Sequence, residues 1–122
     1  MQTILVVDDD EQVRDFIRTV LKQTGYFVEA VRNGNEAGQF LAHREPDLLI
    51  TDMSMPHKAG NQLIQEVRAN HPRVPIFAIS GAITAQPGIF LKLAKSLGAD
   101  YILAKPFSHD DLLRVVKRAL GE

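Results

Sequence analysis

The segment DLLITDMSMP, residues 47–56, is the feature that most constrains what this chain can fold into. It holds a short run of apolar and β-branched residues, delivers a carboxylate at Asp52 and then breaks at Pro56. A short apolar run bounded by turn residues is typical of a buried strand. A carboxylate at the end of such a strand costs free energy unless it has a partner or a chemical role. We therefore expect Asp52 to belong to a site, although a turn-forming aspartate would give the same local pattern.

Short apolar strands alternate with amphipathic helical segments along the whole chain. The strands are predicted at residues 4–7, 27–31, the segment that ends at Asp52, 75–80 and 101–104. A helical segment follows each strand, including one over 89–97 and a last one that begins after Ser108, which forms a capping box with Asp111. The first helix is expected to carry one apolar face made of Val13, Phe16, Ile17, Val20 and Leu21. This alternation predicts an α/β fold, a doubly wound parallel sheet with helices on both faces.

Composition narrows the classes of function that the chain can have. Its 122 residues suit one domain over 1–122, without a linker or an effector domain. The formal net charge of -1 gives no electrostatic case for nucleic acid or acidic membranes. With no cysteine, the chain has no disulfide and no thiolate ligand or nucleophile. The amino-terminal segment MQTILVVDDD is too short and too acidic for a signal peptide or membrane span, so we expect a cytoplasmic protein.

Polar residues stand at the carboxyl ends of four predicted strands. Asp8 and Asp9 follow the first strand, Asp52 the third, Ser80 the fourth and Lys105 the fifth. Because the carboxyl ends of parallel strands share one edge, where ligands bind, we expect these side chains to converge. Each residue alone has a simpler explanation, as a helix cap, a turn residue or a surface lysine.

The expected cluster suits metal-assisted phosphoryl transfer. Carboxylates held close together need a cation to offset their repulsion, or else their pKa values must rise. Oxygen ligands without histidine or cysteine favour Mg²⁺ as that cation. Asp9 and Asp52 would bind it directly, and Asp8 directly or through water. A carboxylate can attack phosphorus to form an acyl phosphate. Asp52 would be that nucleophile, while the Lys105 ammonium and the Ser80 hydroxyl would contact the phosphoryl oxygens.

Four motifs resemble the receiver domain of two-component response regulators, the CheY-like family, over nearly the whole chain. They are VVDDD at 6–10, TDMSMP at 51–56 followed by Gly60, ISG at 79–81 and KPF at 105–107. The resemblance implies a flavodoxin-like (βα)5 fold with strand order 2-1-3-4-5. It also implies that Asp52 is the phosphoacceptor, that the Ser54 main-chain carbonyl binds the metal, and that the Lys105–Pro106 bond is cis.

The same resemblance implies partners and an output. A histidine kinase or histidine phosphotransfer protein would donate the phosphoryl group, and the domain would catalyse only its own phosphorylation and dephosphorylation. Ser80 and Ile102 would act as the switch, although Ile102 stands where the family usually has an aromatic residue and Tyr101 precedes it. The output face would comprise the helix over 89–97, the strand at 101–104 and the last helix. An unidentified downstream protein or a phosphorylation-dependent homodimer would use that face.

Three other functions fit parts of the pattern. A phosphatase with an aspartate nucleophile would need a second acid where Ser54 stands. A flavodoxin-like cofactor binder would need a phosphate-cradling loop where the acidic DDDEQ stands. A receiver-like module that is never phosphorylated would have little use for Asp9, Asp52, Ser80 and Lys105 together.

Overall fold

A five-stranded parallel sheet forms the centre of the molecule, with strand order β2-β1-β3-β4-β5. The computed structural model describes residues 2–53, 60–80 and 98–122. The strands are β1 (Thr3–Val7), β2 (Phe27–Val31), β3 (Leu48–Asp52), β4 (Ile76–Ser80) and β5 (Tyr101–Ala104). The helices are α1 (Glu11–Thr24), α2 (Gly34–Leu41), α3 (Gly60–Asn70) and, as the last helix, α4 (His109–Ala119). The predicted fold class and strand order are confirmed.

Side chains along the strands alternate between the two faces of the sheet and form one apolar layer on each face. Leu5, Leu49 and Ile76 pack in one layer with residues of α2 and α3. Their neighbours along the strands pack in the other layer with α1 and α4, where Phe77 is fully buried. All five residues of β3 and of β4 are buried, as expected for central strands covered on both faces. Truncation of Phe77 to alanine would cost about 3–5 kcal/mol.

Capping residues define where the first and last helices begin and where the first helix ends. Asp10 accepts hydrogen bonds from the main-chain N–H groups of Gln12 and Val13 and so begins α1. Gly25 ends that helix with a φ of 104°, a left-handed conformation that favours glycine. Ser108 and Asp111 form the predicted capping box at the start of α4.

Four local expectations differ from the structure or lie outside the residues that it describes. Strand β1 begins one residue before the predicted start, at Thr3, and β4 begins one residue later, at Ile76. Phe16, predicted on the apolar face of α1, is 39% exposed, and the centroid of its ring lies 6.0 Å from that of Phe107. The predicted helix over 89–97 lies outside the described residues. Among helices in the described ranges, none is long and apolar enough to cross a membrane.

Candidate phosphoryl-acceptor site

The end of β1 delivers Asp8 into the protein interior. The Asp8 main-chain N–H continues the sheet by donating to the Val31 carbonyl at 3.1 Å. Its side chain is 1% exposed, and its Oδ1 accepts a hydrogen bond from the Asp10 N–H at 2.9 Å. The next residue, Asp9, is exposed. One acid is therefore held under the surface while its neighbour faces solvent.

Asp52 ends β3 beside this acidic pair. It is 4% exposed, and its Oδ2 accepts a hydrogen bond from Lys105 Nζ at 3.1 Å. Carboxylate oxygens of Asp8, Asp9 and Asp52 lie within 4.8 Å of one another. Residues separated by more than forty positions in the sequence thus form one cluster, as the parallel sheet predicts.

Lys105 follows β5 and reaches back across the strand ends. Its Nζ lies 3.3 Å from Asp8 Oδ2 as well as 3.1 Å from Asp52 Oδ2, so one ammonium bridges two buried acids. The Lys105 main-chain N–H donates to the Ser80 carbonyl at 2.9 Å, and the Lys105–Pro106 peptide bond is cis. These contacts fix the lysine at the same sheet edge as the acids.

Ser80 is the last residue of β4 and is 6% exposed. In the sheet its strand neighbour Ile79 pairs with Asp52, and Ser80 itself pairs with Ala104. The serine therefore lies between the strand that carries Asp52 and the strand that leads to Lys105. All of the predicted strand-end residues that the structure describes share this edge.

Electrostatics at the site are dominated by burial and by the excess of acids. Burial is the largest cause that raises the pKa of Asp8; the Asp10 N–H and Lys105 offset it in part, and the Asp52 charge adds to it. Burial also lowers the pKa of the Lys105 ammonium, but its hydrogen bond to Asp52 and the charges of Asp8 and Asp52 outweigh that effect. The pKa of Lys105 is therefore raised, and the lysine stays charged near neutral pH.

The cluster fits a hard divalent cation. Asp8 Oδ2 is buried, and within the described part of the chain it accepts no well-formed hydrogen bond, although the Lys105 ammonium lies 3.3 Å away as an ion-pair partner. Such an oxygen is costly unless another ligand reaches it. The donors are carboxylate oxygens, one of them on exposed Asp9, and this set suits Mg²⁺, which prefers oxygen ligands and retains several waters.

Some predicted site residues can be placed only in part. Ser54, the expected main-chain metal ligand, lies outside the described residues, as does the segment 81–88. Ile102 is partly buried and packs against the layer that contains α2 and α3. Tyr101 packs on the opposite layer, so the two residues lie on different faces of β5, as the strand alternation predicts.

One polar residue at the site was missed by the sequence analysis. Arg14, on the first turns of α1, donates from Nη1 to the main-chain carbonyl of Asp8 at 2.9 Å. A cation four residues after a helix cap has many possible surface roles, so its spacing alone gave no signal. Its position beside a run of acids was the available cue.

Sequence comparison finds a matching family model and curated relatives that are described as response regulators. The family model for the response regulator receiver domain matches residues 4–117. Response regulator MprA of Mycobacterium ulcerans is 36% identical over 118 residues, which cover 96% of this chain and 49% of that protein. MprA of Mycobacterium sp. strain KMS is 35% identical over 118 residues. The chain spans about half the length of the curated relatives it matches.

Solved structures of response regulators have the same fold as this chain. Chemotaxis response regulator CheY4 of Vibrio cholerae superposes with a TM-score of 0.89 at 29% identity, covering 98% of this chain and 99% of that one. The receiver domain of Francisella response regulator 1452 has a TM-score of 0.87 at 26% identity, covering 99% and 98%. The similarity therefore extends over the sheet and the described helices.

Proposed function

Because the chain belongs to the response regulator receiver domain family of two-component systems, we propose that it accepts a phosphoryl group on Asp52. The donor is a histidine kinase or a histidine phosphotransfer protein. The observation that carries this proposal is the buried Asp52 carboxylate, bonded to Lys105 Nζ at 3.1 Å and clustered with Asp8 and Asp9. Buried carboxylates that lie close to other charged groups are typical of functional sites.

In the proposed reaction, a lone pair on an Asp52 carboxylate oxygen forms a bond to the phosphorus of a phosphohistidine. The phosphorus–nitrogen bond breaks, its electron pair stays on the imidazole nitrogen, and that nitrogen takes a proton from water. The product is an acyl phosphate on Asp52. Dephosphorylation is attack of water on the same phosphorus, with Asp52 restored as a carboxylate. The protein's own catalysis is limited to these two steps.

The surrounding residues hold charge in place for this transfer. Lys105 is already positioned against Asp52 and would contact a phosphoryl oxygen, and the Ser80 hydroxyl would contact another. Asp8, Asp9, Asp52 and the Ser54 main-chain carbonyl would hold Mg²⁺. When bound, Mg²⁺ supplies positive charge that offsets the carboxylates and the charge developing on the phosphoryl oxygens.

The proposed output is a change of conformation rather than a chemical product. Movement of the Ser80 hydroxyl toward the phosphoryl group would alter the packing next to it, and Ile102 on β5 would respond in place of an aromatic switch residue. The signal would pass through β5, α4 and the segment 89–97 to a downstream protein or to a second phosphorylated copy. A charge change that biases two packing arrangements is the general form of such switches.

We also propose that residues 1–122 act as one receiver domain. One sheet spans the described residues, and its two apolar layers include side chains from near both ends of the chain, such as Ile4 and Val116. This arrangement leaves the site and the proposed output face within one folding unit.

The test is to incubate the protein with Mg²⁺ and acetyl phosphate and to measure its intact mass. The expected result is a gain of one phosphoryl group that requires Mg²⁺ and is absent in Asp52→Asn. Asp47→Asn is a matched control, because Asp47 lies at the opposite end of β3, where its Oδ2 accepts from the Thr3 N–H at 2.7 Å. Uptake by the control should be unchanged.

Two outcomes would contradict the proposal. Folded wild-type protein that gains no phosphoryl group with Mg²⁺ present would favour a receiver-like module that is never phosphorylated. Uptake that persists in Asp52→Asn would move the acceptor to another residue.

A further inference from the structure

Arg14 holds the peptide group that joins the two acids at the end of β1. The Asp8 carbonyl belongs to the peptide between Asp8 and Asp9, and it accepts from Arg14 Nη1 at 2.9 Å. The register of β1 with β2 and β3 ends at Val7, so the sheet ladders do not extend to this carbonyl. A partly buried carbonyl beyond a ladder needs a donor, and the guanidinium supplies it.

The rest of the acidic turn is fixed by bonds on either side of this one. The Asp8 N–H donates to Val31, and its Oδ1 accepts from Asp10. The Arg14 main-chain N–H donates to the Asp10 carbonyl at 2.9 Å, so the same residue is bonded through both main chain and side chain. Rotation of the Asp8–Asp9 peptide is therefore restrained at its oxygen by Arg14. Such a rotation would redirect the chain at Asp9 and move both carboxylates.

The contribution of Arg14 is one of geometry more than of charge. Burial, the Asp10 N–H, Asp52 and Lys105 are the causes that shift the pKa of Asp8. The charge of Arg14 acts instead on Glu36, whose pKa is lowered mainly by hydrogen bonds from Arg32 and only slightly by Arg14. The hydrogen bond to the Asp8 carbonyl is the contact that links Arg14 to the acidic pair.

We propose that Arg14 is a positioning residue, which fixes the Asp8–Asp9 peptide and so sets the two carboxylates for Mg²⁺. This inference rests on the proposed function, because it assigns the acids a metal to bind. Partners that orient metal ligands typically change affinity by about 10–100-fold when removed. Arg14 bonds the main chain of a ligand rather than its carboxylate, so the lower end of that range applies.

The experiment measures Mg²⁺ affinity of the unphosphorylated protein by calorimetry in wild type, Arg14→Met and Arg14→Lys. The methionine keeps an apolar stem and removes the donor, whereas the lysine keeps one donor. We expect Arg14→Met to raise the dissociation constant by about tenfold and Arg14→Lys to recover much of that loss. Arg18→Met is the matched control, one turn along the same helix, where Arg18 pairs with Asp15 at the surface. It should leave the affinity unchanged.

Kinetics separate positioning from general damage to the fold. With acetyl phosphate as donor, Arg14→Met should need about tenfold more Mg²⁺ for half-maximal uptake but reach the wild-type rate at saturation. Because Mg²⁺ that binds the folded state also favours folding, circular dichroism at each Mg²⁺ concentration must show that Arg14→Met is already folded before Mg²⁺ is added. If Arg14→Met does not fold, hydrogen exchange in wild type gives the test, because the Arg14 guanidinium N–H should exchange more slowly than that of exposed Arg73.

The inference is overturned if folded Arg14→Met binds Mg²⁺ as wild type does, or if the Arg14 and Arg73 guanidinium groups exchange equally fast. Wild-type uptake of a phosphoryl group in the same preparation would show that only this inference had failed. Wild type that binds no Mg²⁺ and takes up no phosphoryl group would remove the proposed function and this inference together.

Discussion

At the amino edge of the sheet, Arg68 forms a cluster in which charge is well matched by hydrogen bonds. Its guanidinium donates to the carbonyls of Gly98 at 2.7 and 3.2 Å, Pro72 at 2.9 Å and Val74 at 3.3 Å. It also donates to Asp100 Oδ2 at 2.8 Å, which in turn accepts from the Ile76 N–H at 2.9 Å. One cation thus ties the end of α3 to the starts of β4 and β5.

At the carboxyl edge the balance is reversed. Asp8, Asp9 and Asp52 crowd within 4.8 Å, and Lys105 is the ammonium that bridges two of them. Asp8 Oδ2 has no hydrogen-bond partner among the described residues. Both edges carry charge next to the same strands, but one satisfies it internally and the other leaves acidity for a ligand to offset. The first arrangement stabilises the fold, and the second suits a binding site.

The largest effect on stability is expected at the amino edge. Arg68→Met should lower the free energy of unfolding by about 2–3 kcal/mol, because it removes charged hydrogen bonds to several carbonyls at once. Urea unfolding measures the change. Arg73→Met, at an exposed arginine of the same loop region, is the control and should change stability little. Equal effects of the two substitutions would show that the Arg68 contacts add nothing to stability.

At the carboxyl edge, a substitution outside the acidic cluster should lower stability without changing phosphorylation. Ser108→Ala removes the cap of α4, whose hydroxyl accepts from the Asp111 N–H at 3.0 Å, and should cost about 1 kcal/mol. Uptake of a phosphoryl group by the folded variant should stay at the wild-type level, as intact mass against time would show. Loss of uptake in folded protein would mean that the cap also organises the site.

Removal of one acid at the carboxyl edge should stabilise the fold rather than destabilise it. Without Mg²⁺, Asp8→Asn should raise the free energy of unfolding by about 0.5–1 kcal/mol, because the ionised Asp8 is buried beside Asp52. Asp9→Asn, at the exposed neighbour, should raise it less. Thermal unfolding with and without Mg²⁺ tests both points, since Asp8→Asn should also lose most of the stabilisation by Mg²⁺. Destabilisation of metal-free Asp8→Asn would show that Lys105 already offsets the cost of this acid.

A pH titration tests the amino edge again, through an effect that appears only at alkaline pH. Burial, followed by the hydrogen bond and charge of Glu122, raises the pKa of Tyr26 from 10.0 to about 12. The folded state therefore holds the tyrosine proton more tightly than the unfolded state. This stabilisation is present below pH 10 and is lost as the pH rises through about 12.

The chain has two tyrosines, so tyrosinate absorbance is followed in Tyr101→Phe, where it reports Tyr26 alone, with and without Glu122→Gln. The substitution should lower the pKa of Tyr26, because it removes the carboxylate that accepts from the phenol at 2.7 Å. Stability of Tyr26→Phe should depend less on pH in the same range. An unchanged titration in Glu122→Gln would show that burial alone accounts for the shift.

The sequence predicted the carboxyl edge better than the amino edge, for a physical reason. Apolar runs that end in Asp52, Ser80 and Lys105 mark strand ends, and parallel topology brings strand ends together without further information. Arg68 and Arg14 act instead through main-chain carbonyls, which every residue has, so nothing in the sequence marks their partners. Their contacts depend on where α3 and α1 lie against the sheet. Helical spacing likewise does not reveal where the buried part of an apolar face ends, and Phe16 is 39% exposed although it shares the spacing of buried Ile17 and Val20.

The most direct test of the account is to locate the phosphoryl group chemically. Protein treated with Mg²⁺ and acetyl phosphate is reduced with borohydride, which converts an aspartyl phosphate to homoserine, and its peptides are sequenced by mass spectrometry. The account predicts homoserine at position 52, and no conversion of Asp8, Asp9 or the amino-edge acid Asp100. Homoserine at another acid, or none in protein whose intact mass shows a phosphoryl group, would contradict the claim that Asp52 is the acceptor.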